Sequence, residues 1–152
     1  MSLMNSDLEL AKSTLIEKNL SLVVVKKGQV IFETKKHGIS GFLQVIENLD
    51  KNLAASAVAD KIVGVAAATL CVYSSVSSVF AQTISDEGIR VLKENNIACL
   101  FEKKVPNILN RNKDDVCPFE NLAISSSNTE DAYLKLKSLA HKIMRKSTVT
   151  NC

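Results

Sequence analysis

"SLVVVKKGQVIFET", residues 21–34, is two β-branched runs on either side of Lys27-Gly28. Two extended runs joined by so short a turn predict an antiparallel hairpin, with Gly28 supplying the positive φ that a tight turn requires. The segments downstream of the hairpin decide how it is used. In "GISGFLQVIENLDKN", residues 38–52, Ile39, Phe42, Leu43, Ile46 and Leu49 recur at helical spacing, and Ser40 is placed to cap the helix. "LAASAVA", residues 53–59, is short, small and apolar, which fits a buried strand. Asp60 then precedes "KIVGVAAATLCVY", residues 61–73, an almost wholly apolar helix that must be buried on most faces.

The alternation continues. "SSVFAQTI" (residues 77–84) is a strand, and Ser85 caps the helix "DEGIRVLKENN" (86–96), whose Asp86 and Glu87 suit a helix start. "IACLFEKKV" (97–105) is the next strand. "PNILNRNKDDV" (106–116) has no periodicity, and loops of that length inside a compact domain often carry function. Pro118 begins a short helix, and the last helix, "NTEDAYLKLKSLAHKIMRK" (128–146), carries an apolar stripe of Ala132, Leu136, Ala140 and Ile143. Upstream of the hairpin, "SDLELAKSTLIEKN" (6–19) opens with Ser6 and Glu9 in the spacing of a capping box and then presents Leu8, Ala11 and Leu15 on one face. A hairpin followed by alternating helices and strands predicts an α/β protein: a three-layer α/β/α sandwich with a five-stranded mixed sheet, joined by right-handed crossovers. One domain over residues 6–146 is expected, with flexible ends at 1–5 and 147–152.

Composition narrows the function classes. Hydrophobic residues make up 46% and charged residues 23%, with no Trp, so the core must be built from Val, Ile, Leu and Ala. A net charge of +3 is too small for a protein that works through phosphates, so no nucleic-acid partner is expected. Basic residues late in the last helix suit its negative dipole end. No apolar run reaches the ~18 residues needed to span a bilayer, and the N-terminus does not read as a secretory signal. A cytoplasmic protein without a membrane partner is expected, and with it reduced cysteines: none of Cys71, Cys99, Cys117 and Cys152 forms a CxxC pair. Cys71 and Cys99 fall in apolar runs and read as core residues, whereas Cys117 stands in a polar, turn-like setting.

Three pieces, "ADKIVGVAAATL" (59–70), "VFAQTISDEGIRVL" (79–92) and "VPNILNRNKDDVCPFE" (105–120), resemble in type and order the domain-of-unknown-function family numbered eighteen ninety-three. The element order likewise resembles the cytidine-deaminase-like fold. The resemblance implies that fold and a tendency to self-associate as a homo-oligomer; it implies no activity. Where that family often has a basic residue after the glycine of the first piece, this chain has Val65.

A zinc deaminase needs a His or Cys beside a catalytic Glu at one helix start and a Pro-Cys-x-x-Cys at the next. Here the corresponding stretches read "HGISGF" and "ADKIVG", which offer His37 and Asp60 and no cysteine. No metal and no cofactor are therefore expected. Two helix starts would still converge at one end of the sheet, where free N–H groups attract anions. Ser40 and Gly41 from one, with Asp60 and Lys61 from the other, would line a pocket for a small anionic or nucleotide-like ligand; as plain N-caps, Ser40 and Asp60 need no ligand. Cys117 falls at an N-cap, Pro118 at N1 and Glu120 at N3. Two roles stay open for this stretch: a helix start, or an enzyme or redox centre using Cys117 with Asp60 or Glu120 assisting. Asn110, Arg111 and Glu120 are further candidate ligand contacts. An oligomeric interaction protein is the remaining alternative.

Overall fold

The structure is a computed structural model that describes residues 3–110 and 112–145. The expectations of flexible ends at 1–2 and 147–152, of a contact by Arg111, and those for Cys152, lie outside the described residues.

The hairpin is present. Strand β1 (Leu22–Lys26) pairs antiparallel with β2 (Gln29–Thr34), and Gly28 turns the chain at φ 79°. The carboxylate of Asp7, on helix α1 (Leu3–Glu17), holds that turn, accepting the N–H groups of Lys27 at 3.0 Å and Gly28 at 2.8 Å. Because α1 already runs from Leu3, Ser6 lies within the helix and does not cap it; Leu and Met sustain a helix as well as the residues after them.

Helix α2 (Gly38–Leu49) begins two residues before the expected cap: His37 is the N-cap residue and Ser40 sits in the first turn. Gly38, at φ 71°, turns the chain into the helix, a conformation that costs little only for glycine. A single 3-10 turn (Asp50–Leu53) leads into β3 (Ala57–Val63). The strand runs past Asp60 because β-branched Ile62 and Val63 continue to pair, with Thr83 and Ile84 of β4 (Ser78–Ser85). The apolar helix α3 therefore starts at Val65 and ends at Tyr73, and its N-cap is Gly64, not Asp60. Ser85 caps α4 (Asp86–Glu94) as expected, accepting the Gly88 N–H at 3.0 Å. Strand β5 (Ala98–Val105), helix α5 (Pro118–Ile124) and helix α6 (Thr129–Arg145) complete the order.

The five strands form one mixed sheet in the order β2-β1-β3-β4-β5, parallel between β3, β4 and β5 and antiparallel elsewhere. This is the expected five-stranded mixed sheet of an α/β protein. Side chains alternate between the faces of a strand. Val23, Val25, Ala57, Ala59 and Phe80 meet Leu8, Ala11 and Leu15 of α1 on one face. Leu22, Val24, Val58, Val79 and Ala81 meet the other helices on the opposite face. Leu136 and Ala140 of α6 are buried in this larger cluster, with Phe119 and Ala123 of α5. Among the described residues, no helix is long and apolar enough to cross a membrane.

Candidate functional site

Asp60 stands on central β3, opposite Leu22 of β1 and Ala81 of β4. The alternation that sends Ala57 and Ala59 toward α1 sends Val58, Asp60 and Ile62 toward α2 and α3. Its carboxylate accepts one long bond from the Ile62 N–H, at 3.3 Å. Asp60 is partly exposed as a residue, yet its carboxyl is poorly solvated: burial pushes its pKa from 3.8 up to about 7, and the N–H groups of Ile62 and Lys61 pull it back in part.

Glu120 does not close a capping box on its own helix. Its carboxylate reaches the start of α3, where Oε1 accepts the Val65 N–H and Oε2 the Ala66 N–H, both at 2.7 Å. Two of the four N–H groups that any helix start leaves open are thus filled from a residue 55 positions away. The dipole favours a negative charge there, while burial pushes the Glu120 pKa up and the two N–H bonds pull it back in part. Gly64 makes the approach feasible. A Cβ at that position would collide with Oε1 and Cδ of Glu120 and come within 2.7 Å of Ile108 Cγ1.

Asp60, Glu120 and Cys117, the three candidate catalytic residues, line one cavity with Gly38, Ile39, Ile62, Gly64, Ala67 and Ile108. Its volume is about 20 Å³. A second recess of about 30 Å³ adjoins it across Gly38, Asp60 and Ile62, and is rimmed by Ser21, His37 and Lys61. Each holds about one water. Lys61 donates its backbone N–H to the Ser21 carbonyl at 3.0 Å and its Nζ to Asn19 Oδ1 at 3.3 Å. His37 is exposed, with Nδ1 3.4 Å from Ser21 Oγ.

Other expected contacts fall elsewhere. Ser40 faces a separate groove with Lys36, Gln44, Glu47 and His141. Gly41 is a close-approach position, since a Cβ there would stand 2.6 Å from the Lys36 carbonyl oxygen. Asn110 organises its own loop: its Nδ2 donates to Asp114 Oδ1 at 2.7 Å, and its Oδ1 accepts the Asp114 N–H at 3.2 Å. Cys117 is buried and stands before Pro118 as the N-cap residue, its carbonyl accepting the Glu120 N–H at 2.9 Å. Among the described residues, Cys71 and Cys99 are free. Gly38, Ile62 and Ile108 join the site without being among the expected residues; only the glycine, at the start of a helix, carries a readable signal in the sequence.

The anion seat expected at the α3 start is therefore already filled, by a carboxylate of the chain itself. Among the described residues, no group of three or more His, Cys, Asp and Glu is placed to hold a metal ion. The geometry offers instead the Asp60 carboxyl facing a small cleft, the Glu120 carboxyl lining the same cleft, and Lys61 and His37 at the rim of the adjoining recess.

Sheet order, helix starts and cleft define an α/β sandwich whose small cleft is lined by two carboxyl groups, Asp60 and Glu120. The chain matches, over residues 10–140, the family described as a domain of unknown function, DUF1893, and it belongs to that family. A solved DUF1893 family protein from Thermotoga maritima is similar at 26% identity and a TM-score of 0.79, over 93% of this chain and 92% of that one. A dCMP deaminase from the cyanophage S-TIM5 shows 14% identity and a TM-score of 0.46, over 69% of this chain and all of that one (100%). RibD from Acinetobacter baumannii, in its form 2, shows 16% identity and a TM-score of 0.48, over 94% of this chain and 41% of that one. No curated protein matches the chain.

Proposed function

We propose that the protein binds a small polar molecule in the cleft between the end of β3 and the start of α2, with Asp60 as the contact that gives or takes a proton. The observation that carries this is Asp60 itself: a carboxyl on a central strand, facing a cleft, whose pKa of about 7 leaves it ready to change charge near neutrality. The filled α3 start argues against an anion at that helix. The complementary ligand presents an N–H group to Asp60 and a carbonyl or anionic group toward Lys61 and the α2 start. A cleft with room for about two waters favours a ligand no larger than a nucleobase or an amino acid, with the rim opening to admit it. Nucleotides stay in the test because a phosphate would extend past the rim toward Lys61.

Thermal shift decides between these sizes. Nucleobases, nucleosides, nucleotides and amino acids at millimolar concentration are compared on the native protein and on Asp60→Asn. A ligand specific to the native state raises Tm by mass action. Stabilisation by at least one compound, lost in Asp60→Asn, is the expected result. No shift with any compound, or an equal shift in Asp60→Asn, removes the proposal.

A further inference from the structure

The last strand of the sheet is bare. Among the described residues, β5 pairs only with β4, and none of its eight residues is buried. Leu100 and Phe101 are 49% and 43% exposed. Being consecutive, they point to opposite faces, so both faces of this edge are apolar at the same level. A helix docking on one face covers only one of them, whereas an added strand covers both. The opposite edge is protected differently. The β1–β2 ladder changes register between Val24 and Val25, and Ile31 and Phe32 of β2 pack on the core. β5 keeps one register with β4 from Ala98 to Val105.

From this we infer that β5 pairs with β5 of a second copy, antiparallel about a two-fold axis, and joins the two sheets into one. The backbone restricts the register. The Ala98 N–H donates to the Ser77 carbonyl, so Ala98, Leu100, Glu102 and Lys104 direct their backbone groups at β4. Cys99, Phe101, Lys103 and Val105 direct theirs outward. An antiparallel partner must match outward residue with outward residue, so the two-fold axis passes through a residue and not between two. An axis at Glu102 sets Glu102 against its own copy, and an axis at Lys103 does the same with Lys103; like charges directly opposite are unfavourable. An axis at Leu100 pairs only residues 98–102 within the strand. An axis at Phe101 pairs residues 98–104 with no like charges opposed. It places Phe101 against Phe101 on one face and sets the two Leu100 side chains diagonally across the axis on the other. Lys103 and Lys104 then face Cys99 and Ala98 of the second copy.

Light scattering across micromolar to submillimolar concentration, with circular dichroism as the folding control, tests this. The native chain is expected to dimerise reversibly. Phe101→Lys, which sets like charges on the axis, is expected to weaken the dimer about tenfold or more. In a Cys99→Ser background, Phe101→Cys is expected to form a covalent dimer on mild oxidation. Directly opposed residues that exchange hydrogen bonds have Cα atoms about 5.5 Å apart, within disulfide reach. Lys104→Cys in the same background, lying away from the axis, is expected to stay monomeric under the same treatment. A strict monomer throughout the range overturns the inference, including the case in which this edge receives a strand from a different protein. A dimer indifferent to Phe101→Lys overturns it, as does equal cross-linking through position 104.

Discussion

Gly64→Ala is the substitution that asks most of the candidate site. The new methyl cannot coexist with the Glu120 carboxylate where it now lies, nor with Ile108 Cγ1 at 2.7 Å. Glu120 can swing aside at little steric cost, being the end of a flexible side chain; the loss is in the bonds it leaves. Two charge-assisted N–H bonds at 2.7 Å are broken. Hydrogen bonds to a charged partner contribute ~1.5–3 kcal/mol each, so the gross loss is about 3–6 kcal/mol. Against this, alanine restricts the unfolded chain and returns ~0.5–1 kcal/mol, available because Gly64 sits at φ −108° and needs no glycine-only conformation. Water reaching the freed groups returns part of the remainder. The net expectation is a loss of about 3 kcal/mol, or roughly 6–12 °C in Tm for a chain of this size. Urea and thermal unfolding measure it. The sharper measurement is a double-mutant cycle with Glu120→Ala. Once the carboxylate is gone, Gly64→Ala should cost far less than in the native background, giving a coupling of about 2 kcal/mol. Additive effects, or a Gly64→Ala protein as stable as the parent, would refute the idea that this glycine exists to admit Glu120.

Asp60 predicts a pH dependence of stability. Its pKa rises from 3.8 in the unfolded chain to about 7 in the folded one, so the folded state disfavours its charge. Its contribution is present in full below about pH 4 and is lost as pH rises through about 7. The full shift is an upper bound, and with Asp60 partly exposed a loss of about 1–3 kcal/mol is expected. Asp60→Asn should flatten that part of the unfolding profile and be more stable than the parent at pH 8 but not at pH 4; an unchanged slope would refute the assignment. Asp7→Ala should cost about 1–3 kcal/mol, because the Lys27 and Gly28 N–H groups lose their acceptor. Hydrogen exchange at those two turn amides should accelerate more than at the amides of β1, and uniform acceleration would mean that Asp7 acts only through α1.

Most of the architecture is legible in the sequence, because the hairpin and the alternation after it are local patterns. The β-branched runs around Lys27-Gly28 specify their turn, and Ser85 before Asp86 and Glu87 specifies a helix start. At Asp60 the local pattern misleads, since an aspartate before an apolar run looks like an N-cap; the pairing of Ile62 and Val63 with β4, a tertiary fact, extends the strand past it. Spacing puts Glu120 at N3 of its helix, but it suggests a bond to that same helix and carries no sign of Val65 and Ala66. That Asp60 and Glu120 line one cavity depends on the route of residues 106–117, which have no periodicity to read. "IACLF" reads as a buried strand by composition, and only the strand order reveals it as an edge.

The carboxylate seated at the start of α3 has a consequence for how the protein responds to its medium. A chain that carries its own counter-ion at that helix has no vacancy for a dissolved one. Replacing chloride by phosphate or sulfate at equal ionic strength therefore reaches this part of the molecule only through bulk solvent effects, and the helix keeps its tether whatever salts surround it.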